Sequence, residues 1–332
     1  MIAYYVLPVM AVVKREEKGI FMETYFLHHP PEQIERDPKV IALGFFDGLH
    51  RGHQEVINTA KKEAEKLGIK TAVLTFDPHP SVVLSQQRKQ VKYLTPLEEK
   101  KKHMAALGVD ILYIVRFTTI FSNLSPEDFV QNYLIDLNAK HVVAGFDYSY
   151  GCKGAGKMTN LANYAQGQFG VTVVSKLEDL HDKVSSTSIR QYIAEGQLDE
   201  ANQLLGYPYT ITGTVIHGDK RGRTIGFPTA NIAVDEGFLI PKLGVYAVKF
   251  IVNGEKHLGM ASIGYNITFK DDQAMSIEVY ILDFHREIYG EEIEIEWFHY
   301  FRPELKFNGV EGLIEQLKND EADTRTYFSQ KD

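Results

Sequence analysis

The chain has 332 residues, which at about 150 residues per domain points to two domains. Its 36 Lys and Arg against 44 Asp and Glu give a formal net charge of −8, and no basic tail offers the positive footprint that a duplex nucleic acid needs. The one cysteine, Cys152, excludes an internal disulfide framework and a Cys-rich zinc site.

The chain opens with an apolar run, Met1 to Val13, that is too short to span a bilayer. Its basic residues, Lys14 and Arg15, follow the run instead of preceding it, so it makes a poor signal peptide. We read Met22 as the start of the working chain, with a genuine extension over residues 1–21 as the alternative. No stretch reads as a membrane span, and a cytoplasmic protein is expected.

From Lys39 short apolar runs alternate with amphipathic ones. Residues 39–44 predict a buried strand, 52–68 a helix closed by Gly68, and 69–76 a second strand. Pro96 opens a helix, 109–117 is a third strand, and Ser125-Pro126 begins another helix. Residues 139–146 and 170–177 supply two more strands. This alternation predicts an α/β domain with a mostly parallel, doubly wound sheet, whose ligands bind beyond the carboxyl ends of the strands.

After Gly206 the pattern turns β-branched with a period of two, over 209–218, 244–264, 275–284 and 291–301. Asn253-Gly254 marks a hairpin turn. Two helical stretches, 310–321 and 322–328, close the chain. The second half therefore reads as a small β-barrel with C-terminal helices, and the boundary is expected near Leu205 to Pro208.

The strongest local signal is GFFDGLHRGH, residues 44–53, between a strand and a helix. Gly44, Gly48 and Gly52 allow tight turns and close backbone approach. The helix start presents unpaired N–H groups and the positive end of its dipole, which suit a phosphate. His50 and His53 are three residues apart and can face one ligand, where an imidazole N–H stabilises charge on a phosphoryl oxygen. A satisfied histidine pair at a helix start is the plainer alternative. A two-histidine metal site lacks a third ligand at useful spacing.

Residues 151–157, GCKGAGK, imitate a P-loop. Met158 stands where the Mg²⁺-binding hydroxyl belongs, and the preceding DYSYG is too polar for the strand that should lead in, so a P-loop is rejected. VSSTSIRQYI, 184–193, is a hydroxyl cluster running into a helix. Ser185, Ser186, Thr187 and Arg190 suit a triphosphate tail, and equally a simple N-cap. In TFDPHP, 75–80, Asp77 reads either as a ligand contact or as an Asp-Pro turn.

Taken together these strings resemble the prokaryotic bifunctional riboflavin kinase/FMN adenylyltransferase (FAD synthetase) family. The likeness runs in order from about Met22 to the C-terminus. It continues through AGFDYSYG (144–151), GDKRGRTIGFPTAN (218–231), GVYAV (244–248), SIGYNITF (262–269) and IEVYILDFHREIYG (277–290). The resemblance implies a Rossmann-like, doubly wound nucleotidyltransferase domain over 22–205 and a riboflavin-kinase β-barrel with C-terminal helices over 206–332. It implies ATP-dependent phosphorylation of riboflavin to FMN, then adenylylation of FMN to FAD with release of pyrophosphate, both with Mg²⁺. The partners are then small molecules alone, neither nucleic acid nor a membrane; a homo-oligomer stays open.

The residues follow from the same resemblance. Glu278, His50 and His53 become catalytic groups. Gly44, Phe46, Asp47, Gly48, Gly52, Ser185, Ser186, Thr187, Arg190, Gly222, Gly226 and Thr229 become ATP and phosphate contacts. Asp77, Pro78, Phe146, Asp147 and Tyr148 become flavin contacts. Thr229 offers a hydroxyl to Mg²⁺, and Asn231, two residues on and so on the same strand face, adds an oxygen. Glu278, in the β-branched IEVYI, is the expected general base for the ribityl hydroxyl, against a plain exposed residue on an edge strand. Ile267-Thr268 stands where the family usually has Pro-Thr. The competing readings are an FMN adenylyltransferase with an impaired kinase domain and a flavin-binding sensor without turnover.

Overall fold

The computed structural model describes residues 15–17, 20–31, 36–85, 91–179, 182–265 and 275–331. The chain divides into two compact units, Met1–Val184 and Ser185–Asp332.

The first unit is built on β1 (Arg15–Glu17), β2 (Ile20–Leu27), β3 (Lys39–Leu43), β4 (Lys70–Asp77), β5 (Ile111–Arg116), β6 (Ala139–Gly145) and β7 (Gly170–Val174). They form one sheet in the order β1-β2-β5-β4-β3-β6-β7. All neighbours are parallel except β1 and β2. From β3 the chain builds outward through β4 and β5, then returns to the other side of β3 to form β6. The crevice between the carboxyl ends of β3 and β6 is therefore the topological switch point, where ligands of such sheets bind.

β3 and β4 are buried along nearly their whole length, because helices cover both faces. Val40 and Ala42 pack with Val56, Ile57, Ala60 and Ala64 of α1 (Arg51–Leu67) and with Met104 of α2 (Leu97–Ala106). Ile41 and Leu43 face the opposite layer, with Phe129, Tyr133 and Leu161. α1 ends where Gly68 takes the left-handed conformation, φ 64°, as its C-cap.

β1 and β2 have no counterpart in the pattern reading. β2 mixes Glu23 and Thr24 with its apolar residues, and so lacks the clean period that marks β3 to β5. The P-loop-like string also has a local explanation. Ser149–Tyr150 pairs antiparallel with Gly156–Lys157, so the glycines close a small hairpin and do not follow a strand of the parallel sheet.

The second unit starts with two short helices, α3 (Ser186–Glu195) and α4 (Leu198–Leu205), turned by Gly196 at φ 85°. A closed barrel follows: β8 (Tyr209–Ile216), β9 (Thr229–Val234), β10 (Gly244–Val252), β11 (Glu255–Tyr265), β12 (Met275–Ile281) and β13 (Glu292–Arg302). The strands run β8-β9-β12-β11-β10-β13 and all pair antiparallel. Asn253 and Gly254 both have positive φ, 52° and 79°, as the expected hairpin turn requires.

Asn202 ties α4 to the barrel. Its amide donates to the carbonyl of Trp297 at 2.8 Å and accepts from the N–H of Tyr209 at 2.7 Å. The C-terminal stretches expected as two helices form one, α5 (Val310–Ser329). Nothing interrupts it at Ala322, and Glu321 pairs with Arg325 one turn later across that point.

Candidate active sites

The loop after β3 turns the chain into α1 through three residues of positive φ, Phe46 at 56°, Gly48 at 83° and Leu49 at 30°. Gly44 is required by close approach, since a Cβ there would lie 2.7 Å from the Phe46 ring. Asp47 is buried, and its Oδ1 accepts from the N–H groups of Leu94 and Thr95 at 3.0 and 3.2 Å. Thr95 in turn accepts from the N–H of Gly48 at 2.8 Å. This carboxylate oxygen is engaged in shaping the loop.

His50 is the N-cap of α1, and its Nδ1 accepts from the N–H of His53 at 3.3 Å. In the neutral ring the proton then lies on Nε2. The two imidazoles stack, 3.6 Å between centroids with planes 16° apart, and Phe46 closes edge-on against His53 at 5.3 Å. A Cβ at Gly52 would come within 3.3 Å of the His50 ring. Burial, then the charges of His50 and Lys100, hold the His53 pKa well below that of an ordinary histidine. His53 is thus neutral, and its buried Nδ1 has no hydrogen-bond partner among the described residues.

β4 and β6 flank β3 in parallel, so the segments that follow them, at Asp77 and at Phe146, leave the sheet at the same end as the 44–53 loop. Asp77 ends β4, pairs with Arg116 at 3.0 Å, and is joined to Pro78 by a cis peptide bond. His79 then meets Phe45 edge-on at 4.5 Å. Phe146 follows β6 and is 46% exposed, an unusual position for a large apolar ring, and Asp147 beside it is exposed. Tyr148 packs inward against the core and Tyr150, and burial raises its pKa. Val184 ends this unit; Ser185 begins the next as the N-cap of α3, with Oγ accepting from the N–H of Ser188 at 3.1 Å. Ser186, Thr187 and Arg190 lie in the first turns of that helix.

In the barrel, β9 and β12 pair so that Asn231 stands opposite Glu278. Thr229, on the same face of β9, donates from Oγ1 to Glu278 Oε2 at 2.8 Å. Gly218 leaves the Asn231 amide its place, since a Cβ there would overlap the amide nitrogen. Gly222 is wedged against the carbonyl of Phe227, and Gly226 takes φ 88°, so the 221–227 loop is a tight turn ahead of β9. Two cavities open here. One, about 360 Å³, is lined by Val245, Met260, Leu305 and Leu317, with Thr229 and Glu278 at its wall. The other, about 400 Å³, is lined by Arg223, His285, Arg286 and Tyr289, again with Thr229. Ile267 and Thr268 lie outside the described residues.

A family model for FAD synthetase matches residues 32–188, and one for riboflavin kinase matches residues 205–328. A bifunctional riboflavin kinase/FMN adenylyltransferase of Listeria monocytogenes is 72% identical over 310 residues, 93% of this chain and 99% of its own. The chain belongs to the bifunctional riboflavin kinase/FMN adenylyltransferase family. A member of that name from Bacillus subtilis is 47% identical, covering 93% of this chain and 99% of its own. One from Escherichia coli is 34% identical, covering 90% and 96%. A crystal structure described as a macrolide-efflux protein from Streptococcus pneumoniae matches with a TM-score of 0.86 at 37% identity, over 91% of this chain and 98% of that one. In the present chain no helix among the described residues is long and apolar enough to cross a membrane.

The Mg²⁺ that the family resemblance implies would be held by the Thr229 hydroxyl and the Asn231 amide oxygen, two positions on one face of β9 beside Glu278.

Three contributors escaped the sequence reading. Lys100 is 2% exposed, and its Nζ donates to the carbonyl of Phe45 at 2.7 Å. Thr75 donates to the same carbonyl at 2.8 Å, and Thr95 holds Gly48. Lys100 lies in the run Lys100–Lys102, which reads as a solvated face. Its spacing was the available signal: three residues after Leu97 and four before the buried Met104, it falls on the apolar side of α2.

Proposed function

We infer that the two units of this enzyme perform successive steps, the barrel making FMN from riboflavin and ATP, and the sheet unit making FAD from FMN and ATP. The chain is a riboflavin kinase and FMN adenylyltransferase. The observation that carries the kinase assignment is Thr229 at the wall of both barrel cavities, bonded to Glu278.

The apolar cavity takes the flavin ring, and the cavity with Arg223, His285 and Arg286 takes the nucleotide. Gly222 and Gly226 shape the turn over its phosphates. Glu278 accepts the proton of the ribityl 5′-hydroxyl as its oxygen attacks the γ-phosphorus and ADP leaves. Mg²⁺, held by Thr229 and Asn231 when bound, neutralises charge on the phosphates.

In the sheet unit no covalent intermediate is needed. A phosphate oxygen of FMN attacks the α-phosphorus of ATP and pyrophosphate leaves. His50 and His53 donate to the oxygens that gain charge, which is a neutral imidazole's part and suits the lowered pKa of His53. Gly44, Phe46, Gly48 and Gly52 shape the loop, with Asp47 as its internal brace. Phe146, with Asp147, offers an exposed face to the flavin beside Asp77 and Pro78, and Tyr148 supports it from behind. Phosphate binding by Ser185, Ser186, Thr187 and Arg190 rests on the family resemblance. We place the enzyme in the cytoplasm.

Chromatography of flavins after incubation with riboflavin, ATP and Mg²⁺, beside a reaction started from FMN, tests the reading. FMN followed by FAD in the first, and FAD in the second, is expected. Absence of FAD from the second reaction would overturn the adenylyltransferase assignment, and absence of FMN from the first the kinase assignment.

A further inference from the structure

The carbonyl of Phe45 accepts two hydrogen bonds from side chains on different elements, Thr75 Oγ1 on β4 at 2.8 Å and Lys100 Nζ on α2 at 2.7 Å. Both lone pairs of that oxygen are thereby used. The peptide plane between Phe45 and Phe46 cannot rotate without breaking one of them. The next backbone torsion is the positive φ of Phe46, 56°, which an L residue with a bulky side chain adopts only when its surroundings impose it. Phe46 in turn sets its ring edge-on to His53. Lys100 therefore sits two links behind the histidine pair.

It also brings charge. The ammonium is buried and lies 4.1 Å from the centroid of the Phe45 ring. Asp47 and Asp77 are near enough to favour its charged form, and it is near enough to His53 to disfavour a second positive charge there. A buried cation that forms no ion pair with a carboxylate among the described residues, under a loop that would face polyphosphate, has an electrostatic use that core packing does not require.

We propose that Lys100 is a positioning residue for adenylyl transfer: it locks the Phe45–Phe46 peptide and supplies the buried positive charge beneath the His50–His53 pair. The proposal rests on reading that pair as the adenylyl-transfer site. The lysine touches neither substrate nor the reacting phosphorus.

Three variants separate its two contributions. K100M removes donor and charge, K100Q keeps a donor alone, and K100R keeps both. FMN-to-FAD conversion should fall on the order of 100-fold in K100M, the cost of a small misplacement of reacting groups. It should fall less in K100Q and recover most in K100R, while riboflavin phosphorylation stays within about twofold of wild type in all three. Titration of His53 by NMR should show its pKa raised in K100M and K100Q and unchanged in K100R. The signals of His103 and His141, in the same unit, report that it remains folded.

A folded K100M that makes FAD within about threefold of the wild-type rate would overturn the proposal. So would equal losses in all three variants with the His53 titration unmoved, since that describes a lysine used only for packing. If the wild-type protein formed no FAD, the reading of the site would fail by itself, and the His53 titration would still decide whether Lys100 charges the pair.

Discussion

The hydroxyl of Thr229 donates to a carboxylate oxygen of Glu278 over 2.8 Å, between strands whose register sets Asn231 opposite that glutamate. Two positions on one strand and one on its neighbour thus converge on one point of the barrel wall, which two cavities share through Thr229. The antiparallel pairing creates this convergence, because residues two apart on β9 both face the partner residue on β12.

Replacing Glu278 separates the two activities. E278A should lower FMN formation by about 10²- to 10⁴-fold, the range for removal of a general base. FAD formation from added FMN should stay near wild type, since the His50–His53 pair belongs to the other compact unit. Parallel flavin chromatography reads both rates, and equal loss of both in a folded protein would refute the separation.

His53 gives the reverse result. H53A should cost about 10²- to 10³-fold in FAD formation, typical of losing one donor to a charged transition state, and leave the kinase reaction intact. A wild-type rate of FAD formation from this variant would take the stacked pair out of the mechanism.

A buried ion pair helps to anchor the C-terminal helix to the barrel. Asp320 of α5 receives Arg302 Nε at 2.9 Å and Nη2 at 2.6 Å, and both residues border the apolar cavity. D320A leaves Arg302 without its partner and should cost about 3–5 kcal/mol. Trp297, the sole tryptophan, is buried in this barrel, so its fluorescence follows unfolding of this unit. An unchanged denaturation midpoint by that signal would show that the pair adds nothing to stability.

Much of the site was legible because it is local in sequence. GFFDGLHRGH lies between a strand and a helix, so its glycines and the stacked histidines come together within ten consecutive residues. Thr229 and Asn231 were readable as two positions on one strand, whereas the partnership of Thr229 with Glu278 depends on a pairing 49 residues apart. Lys100 was hidden for the same reason. Its partner is a backbone carbonyl 55 residues away, and composition sees only three consecutive lysines. Edge strand β1 and its neighbour β2 were missed because partners, and not periodicity, hold them in the sheet.

Asp199 should make the barrel acid-sensitive. Burial pushes its carboxyl up, but hydrogen bonds from His299, Lys331 and Tyr327 outweigh that and hold it well below the usual carboxylate range. A carboxyl lowered by folding stabilises the fold above its unfolded pKa near 4 and ceases to do so as pH falls through its folded value. The group is 39% exposed, so screening limits the gain to about 1 kcal/mol. D199N should flatten the acid limb of barrel stability followed by Trp297, and an identical limb in the two proteins would exclude this residue.

Lys100 sets opposite trends for activity and stability in alkali. Burial brings its pKa down to about 8, against the favourable charges of Asp47 and Asp77. Its ammonium is therefore lost as pH rises through about 8, and FAD formation should fall there while FMN formation does not follow it. Between that value and about 10.5 the unfolded chain still binds the proton and the folded one does not, so this group makes stability rise with pH. Loss of this proton therefore does not itself unfold the protein. A pH profile for FMN-to-FAD conversion, measured beside a denaturation midpoint for the sheet unit, checks both signs. In K100R the alkaline fall should move to higher pH, because arginine keeps its charge. A fall at the same pH in that variant would assign it to another group.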